Sequence, residues 1–123
     1  MKILIIEDEI LIQKSLKRLL EKRGAAVDVA TFGQDAITMI NSNNYQRIIC
    51  DLMLKDISGF DIIEESKKKF SLEQIKNIFI IITAYSSPQV IERASRYKCK
   101  IISKPFEDLE LALNIFMDNQ GMA

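Results

Sequence analysis

Five side chains able to do chemistry stand where short apolar runs stop. Glu7 and Asp8 follow Ile3-Leu4-Ile5-Ile6, and Asp51 follows Ile48-Ile49-Cys50. Thr83 follows Ile78-Phe79-Ile80-Ile81-Ile82, and Lys104 comes just after Ile101-Ile102. Taken singly, each has an ordinary reading. Asp8 suits a helix N-cap, although Leu11 at the N3 place leaves no capping box. Asp51 would pass for a loop acid, Thr83 for a packing residue and Lys104 for a surface charge. Taken together they pose an electrostatic problem, because three carboxylates a few ångströms apart do not all stay ionised without counter-charge. Lys104 supplies one positive charge and a divalent cation would supply the rest. Ligands made wholly of oxygen favour Mg²⁺ or Mn²⁺ over zinc.

The elements that would bring these residues together alternate regularly. Ile3–Ile6, Ala26–Ala30, Ile48–Cys50, Ile78–Ile82 and Ile101–Ile102 read as strands. Glu9–Arg23, Gly33–Ile40, Phe60–Phe70, Pro88 to about Arg96 and Glu107–Asp118 read as helices. In the first helix Ile12, Leu16, Leu19 and Leu20 share one face, and Gly24 stands at the C′ place. Ala26–Ala30 carries Asp28 between two valines, as an edge strand does. Ile78–Ile82 has no polar face, so it is expected at the centre of a parallel sheet. The order (βα)₅ implies a doubly wound α/β fold whose ligands bind beyond the carboxyl ends of the strands, where all five residues lie.

Composition narrows the function classes. With 48% hydrophobic and 28% charged residues the chain is of ordinary globular make-up. Lys and Arg number 17, balancing 17 acids, so no basic excess marks a nucleic-acid binder. The absence of His excludes His-ligated zinc and any His base or triad. Two cysteines, Cys50 and Cys99, are too few for a disulfide framework and point to reducing cytoplasm. No apolar run approaches the ~18 residues of a membrane span. Lys67-Lys68-Lys69 reads as a solvated helix end, where cations favour the helix dipole.

The segments Ile3–Glu9, Asp51–Phe60, Ile82-Thr83-Ala84 and Ser103-Lys104-Pro105-Phe106 together resemble the receiver domains of two-component response regulators, over essentially the whole chain. The resemblance implies a flavodoxin-like sheet of order 2-1-3-4-5. It implies that Asp51 is the phosphoacceptor. Mg²⁺ would be bound by Asp8, by Glu7 largely through water, by Asp51 and by the Met53 backbone carbonyl. Thr83 and Lys104 would contact the phosphoryl group, and the Lys104–Pro105 peptide would be cis. The donor would be a sensor histidine kinase or a histidine phosphotransfer protein. Output would run to a protein target through the surface of the fourth helix, fifth strand and fifth helix, without nucleic-acid contact or membrane insertion. Residues 1–123 would form a single receiver domain with no output domain in the chain, catalysing only its own phosphorylation and dephosphorylation.

Four departures from the family pattern stand out. Ile101 occupies the place, three before Lys104, of a commonly aromatic residue that swings inward on activation. Lys55 replaces a frequent Pro, and Tyr97-Lys98 replaces a small Gly-Ala pair. Met53 and Tyr85, two residues beyond Asp51 and Thr83, are bulky and would shield an acyl phosphate from water.

Other classes fit less well. An aspartyl-phosphate phosphohydrolase would carry a second acid where Met53 stands. A flavodoxin-like electron carrier would need a hydroxyl- and Gly-rich loop where Glu7-Asp8-Glu9 stands. A degenerate receiver acting by protein binding alone would not need the full acid, Thr and Lys set.

Overall fold

A computed structural model describes residues 1–84 and 87–118. The strands are β1 (Lys2–Ile6), β2 (Ala26–Ala30), β3 (Arg47–Asp51), β4 (Phe79–Thr83) and β5 (Lys100–Ser103). The helices are α1 (Ile10–Lys22), α2 (Gly33–Ser42), α3 (Gly59–Ser66), α4 (Leu72–Ile78), α5 (Pro88–Ser95) and α6 (Leu109–Met117). All strand pairs are parallel, in the order β2-β1-β3-β4-β5.

Alternation along the strands builds two cores. Leu4, Ile6, Ile48, Cys50, Phe79 and Ile81 face α2–α5, meeting Ala36, Ile40, Ile62, Ile63, Ile75 and Ala94. Ile3, Ile5, Ile49, Ile80 and Ile82 face the other way, onto Leu16 and Leu20 of α1 and Ala112, Leu113 and Phe116 of α6. A β-strand sends successive side chains to opposite faces, so a run without polar residues is what a sheet covered on both sides requires. β3 and β4 are buried at every position.

Helix ends follow the local sequence. Gly24, at φ +93°, ends α1. Its N–H donates to the Glu21 carbonyl, and the Ala25 N–H donates to Leu20, the paired bonds of a Schellman motif. Ser58 and Asp61 form a capping box on α3, as Ser71 and Gln74 do on α4. α2 has no cap from its own chain segment. The Asp56 carboxylate, on the loop after β3, supplies one by accepting from the Gly33 and Gln34 N–H groups, each at 2.9 Å.

The helix expected over Phe60–Phe70 is corrected by the structure. It ends at Ser66, a turn follows, and the Ser71 box restarts the chain as α4, over residues to which the apolar pattern assigns no element except Ile78, which moves from the expected strand Ile78–Ile82 into the last position of this helix. Only Ile75 of α4 is buried, too sparse a pattern to show helical periodicity. Lys67-Lys68-Lys69 is exposed just past the end of α3, and Lys69 Nζ also donates to the carbonyls of Ile40 at 2.6 Å and Asn43 at 2.7 Å, closing the C-terminus of α2. Lys67 and Lys68 pair with Glu64 and Glu65.

Lys98, just past α5, has φ 57°. That left-handed conformation costs an L side chain on the order of 1 kcal/mol, and glycine adopts it freely. Lys98→Gly is therefore expected to raise the unfolding free energy by up to about 1 kcal/mol in urea titration.

Candidate functional site

Each strand that reaches the rim delivers its residue through the ladder or one step beyond it. Asp51 closes β3 and Thr83 closes β4. The Glu7 N–H donates to the Ala30 carbonyl at 3.1 Å, extending the β1–β2 ladder. The Lys104 N–H donates to the Thr83 carbonyl at 2.9 Å, extending β4–β5. Gln13 of α1, buried, ties the turn after β1 by donating to the Glu7 carbonyl at 2.9 Å.

The side chains converge. Lys104 Nζ stands 3.0 Å from Asp51 Oδ2, 3.1 Å from Glu7 Oε2 and 3.4 Å from Glu9 Oε1. One carboxylate oxygen from each of Glu7, Asp8 and Asp51 lies within 4.8 Å of the others. Glu7 and Thr83 are fully buried and Asp51 nearly so, while Asp8 is half-buried. The Met53 N–H donates to Asp51 Oδ1 at 3.1 Å, and the Met53 side chain is exposed at the rim. Lys104–Pro105 is cis. Ile101 is partly buried against the core on the α2–α5 side. Tyr85 lies outside the described residues.

The electrostatics are those of an under-neutralised pocket. Burial, and then the charge of Asp51, push Glu7 up to about 7, against the Glu9 N–H and Lys104, which pull it down. Burial draws Lys104 down, but hydrogen bonds to Asp51 and Glu7 outweigh it and hold the ammonium above the ordinary lysine value. One ammonium faces Glu7, Asp8 and Asp51, so carboxylate charge is left over. A hard dication with oxygen ligands fits this donor set.

Glu7, Asp8, Asp51, Thr83 and Lys104, expected at one rim from their places at the strand ends, stand there together. The strand-end pattern assigns no role to Glu9, Gln13 or Gly59. Glu9 was legible only as a third acid in a row, and its reach to Lys104 depends on the turn into α1. A Cβ at Gly59 would stand 2.5 Å from the Asp51 carbonyl oxygen, so the start of α3 lies directly against that peptide.

A sheet of order 2-1-3-4-5 with a Glu-Asp-Asp-Thr-Lys rim agrees with comparison to known proteins, where the model of the response regulator receiver domain matches residues 3–116. The chain belongs to the response regulator receiver domain family. It is 32% identical over 116 residues to the transcriptional regulatory protein QseB of Escherichia coli O157:H7, covering 94% of this chain and 51% of that protein. It is 30% identical over 120 residues to the aerobic respiration control sensor protein ArcB of Escherichia coli strain K12, covering 96% of this chain and 15% of that one. The chain thus spans about half, or less, of the curated relatives it matches. The crystal structure of the response regulator TrrA of Thermotoga maritima in complex with Mg²⁺ and BeF superposes with a TM-score of 0.76 at 30% identity, covering 93% of this chain and 95% of that chain. The chain is therefore a receiver domain of two-component signalling. No helix among the described residues is long and apolar enough to cross a membrane.

The Glu7 environment sets a pH dependence. A carboxyl whose folded value is about 7 against an ordinary 4.5 binds its proton more tightly in the folded chain. Its contribution to stability is whole below about 4.5 and is lost as the pH rises to about 7. In chelator, the urea midpoint is expected to fall across that window, and Glu7→Gln to flatten the fall.

Proposed function

We propose that Asp51 is the phosphoacceptor of a phosphorelay and that its modification switches a protein-binding surface. The observation carrying this reading is the placement of Lys104 Nζ 3.0 Å from the Asp51 carboxylate, inside a cluster of Glu7, Asp8 and Asp51 oxygens within 4.8 Å of one another. The arrangement supplies both a nucleophile and a means of neutralising an incoming phosphoryl group.

The donor is a phosphohistidine on a sensor histidine kinase or a histidine phosphotransfer protein. An Asp51 oxygen attacks phosphorus in line, the P–N bond breaks, and the electron pair leaves with the imidazole, which takes up a proton. Glu7, Asp8, Asp51 and the Met53 backbone carbonyl would hold Mg²⁺, or Mn²⁺ in its place. The bound dication offsets charge on the phosphoryl oxygens. Lys104 pairs with one phosphoryl oxygen, exchanging part of its contact with Asp51, and the Thr83 hydroxyl donates to another. The chain catalyses only its own phosphorylation and the hydrolysis of its own acyl phosphate.

Output runs through α5, β5 and α6 to a protein partner in the cytoplasm. An open groove of about 370 Å³ lies there, lined in part by Ile101, Ser103, Pro105, Leu111 and Ile115. Ile91 and Leu111 add exposed apolar area. QseB is named as a transcriptional regulator and ArcB as a sensor, so receivers like this one serve in chains of either kind.

Acetyl phosphate with Mg²⁺ is expected to add one phosphoryl group to the wild type, read by intact mass, and none to Asp51→Asn. Chelation is expected to abolish addition, and Lys104→Ala to slow it at least tenfold. Unmodified wild type, or a modified Asp51→Asn, sinks the reading. The acyl phosphate is expected to outlast seconds, because bulky Met53 borders Asp51. Met53→Asn should shorten its lifetime several-fold in a phosphate-release assay.

A further inference from the structure

α3 begins against the peptide of Asp51. A Cβ at Gly59 would come within 2.9 Å of the Leu52 Cα as well as meeting the Asp51 carbonyl, and the Gly59 N–H donates to the Leu52 carbonyl at 3.0 Å. The backbone there has no side-chain slack. The next residue, Phe60, is buried, and its ring stacks on Tyr97 with centroids 6.2 Å apart and planes 25° from parallel.

Tyr97 lies in the turn that follows α5. Its N–H donates to the Ala94 carbonyl at 3.1 Å, and its hydroxyl donates across to Glu64 of α3 at 2.8 Å. Arg93, on the last turns of α5, sits 4.3 Å from the centre of the Phe60 ring. Lys67 sits 5.4 Å from the centre of the Tyr97 ring. Stacking, a charge-assisted hydrogen bond and two cation–π contacts therefore join α3 to the C-terminal end of α5. On β5, three residues before Lys104, stands Ile101, which is aliphatic and partly buried against the same core. It has no ring to swing and no hydrogen bond to exchange.

We propose that the Phe60–Tyr97 pair carries a change at Asp51 to α5, in place of a ring on β5. The inference rests on the phosphoacceptor reading above. A shift of the Leu52–Gly59 loop moves the start of α3, and Phe60 moves with it. Tyr97 then follows the ring or loses its bond to Glu64, and either outcome displaces the end of α5. Packed contacts with a hydrogen bond to make or break give discrete arrangements, which coupling between separated sites requires.

The test is amide NMR on the whole chain with Mg²⁺ and BeF₃⁻, comparing wild type, Tyr97→Ala, Tyr97→Leu and Ile101→Val. Tyr97→Leu keeps apolar bulk, so it reports even where Tyr97→Ala does not fold. In wild type, amides of the Met53–Ser58 loop and of Arg93–Ser95 are expected to shift together. In the Tyr97 variants the loop response is expected to stay at wild-type size while the Arg93–Ser95 response falls at least twofold. Ile101→Val is expected to preserve both. A general loss of stability would not separate the two responses. A full α5 response in Tyr97→Leu, or its loss in Ile101→Val, overturns this inference and leaves the phosphoacceptor reading intact. A wild-type loop that does not respond overturns both.

Discussion

The rim of the sheet depends on one buried ammonium. Lys104, 5% exposed, stands within 3.1 Å of carboxylate oxygens from Glu7 and Asp51, groups that are themselves out of water. Removing an ion from water costs several kcal/mol, and the cost is recovered only where opposite charges meet at good geometry. Here the geometry is good and the charge does not balance. Glu7 absorbs part of the imbalance by holding its proton up to about 7. The remainder is a standing affinity for positive charge, and it makes the pocket a place for a dication rather than for an anion alone. On the proposed reading, a phosphoryl group would enter this pocket only with its counter-charge, so metal and phosphate would be linked by electrostatics before any question of shape arises.

Such crowding persists because the sheet leaves the side chains no alternative. Ile6 is opposite Cys50 in register and Asp51 is opposite Ile82, so the three central strands, β1, β3 and β4, end within a residue of one level. Both faces of those strands are closed by apolar layers, and a one-residue slip would turn each layer toward the wrong face. The two cores thus specify the register, and the register specifies the distance between like charges. The repulsion is borne by the hydrophobic cores rather than relieved by local rearrangement.

This division explains what was legible in the sequence. The strand runs and the residues that end them were readable, because a doubly buried strand needs an unbroken apolar run and the first polar residue marks its exit. Gly24 was readable as a helix stop. α4 was not, since only Ile75 of its turns is buried and its signal is a Ser71–Gln74 box without an apolar stripe. The contacts of Lys69 were not legible, because its partners, the carbonyls of Ile40 in α2 and of Asn43 just after it, leave no trace in neighbouring residue types. Glu9 and Gln13 were visible as residues but not as contacts. Their roles follow from how the chain turns out of β1, a property of the tertiary structure.

The loop after β3 is held in a way that bears on how a local event spreads. At one end Asp51 is part of the ladder and Gly59 lies against its carbonyl, with no room for a Cβ. In between, Asp56 is bound to the first two amides of α2, where the Gln34 and Gly33 N–H groups outweigh burial and keep its carboxyl below the ordinary aspartate range. The loop therefore cannot absorb a disturbance by flexing outward without surrendering the cap of α2. On the coupling proposed above, displacement runs toward α3, whose start abuts the Asp51 peptide and whose first ring rests on Tyr97 just past α5. Both sides of the loop carry charge-assisted bonds, but they differ in number and placement: two at Asp56 hold the loop itself to α2, while one, from Tyr97 to Glu64, lies beyond the Phe60 ring and can be exchanged without releasing the loop.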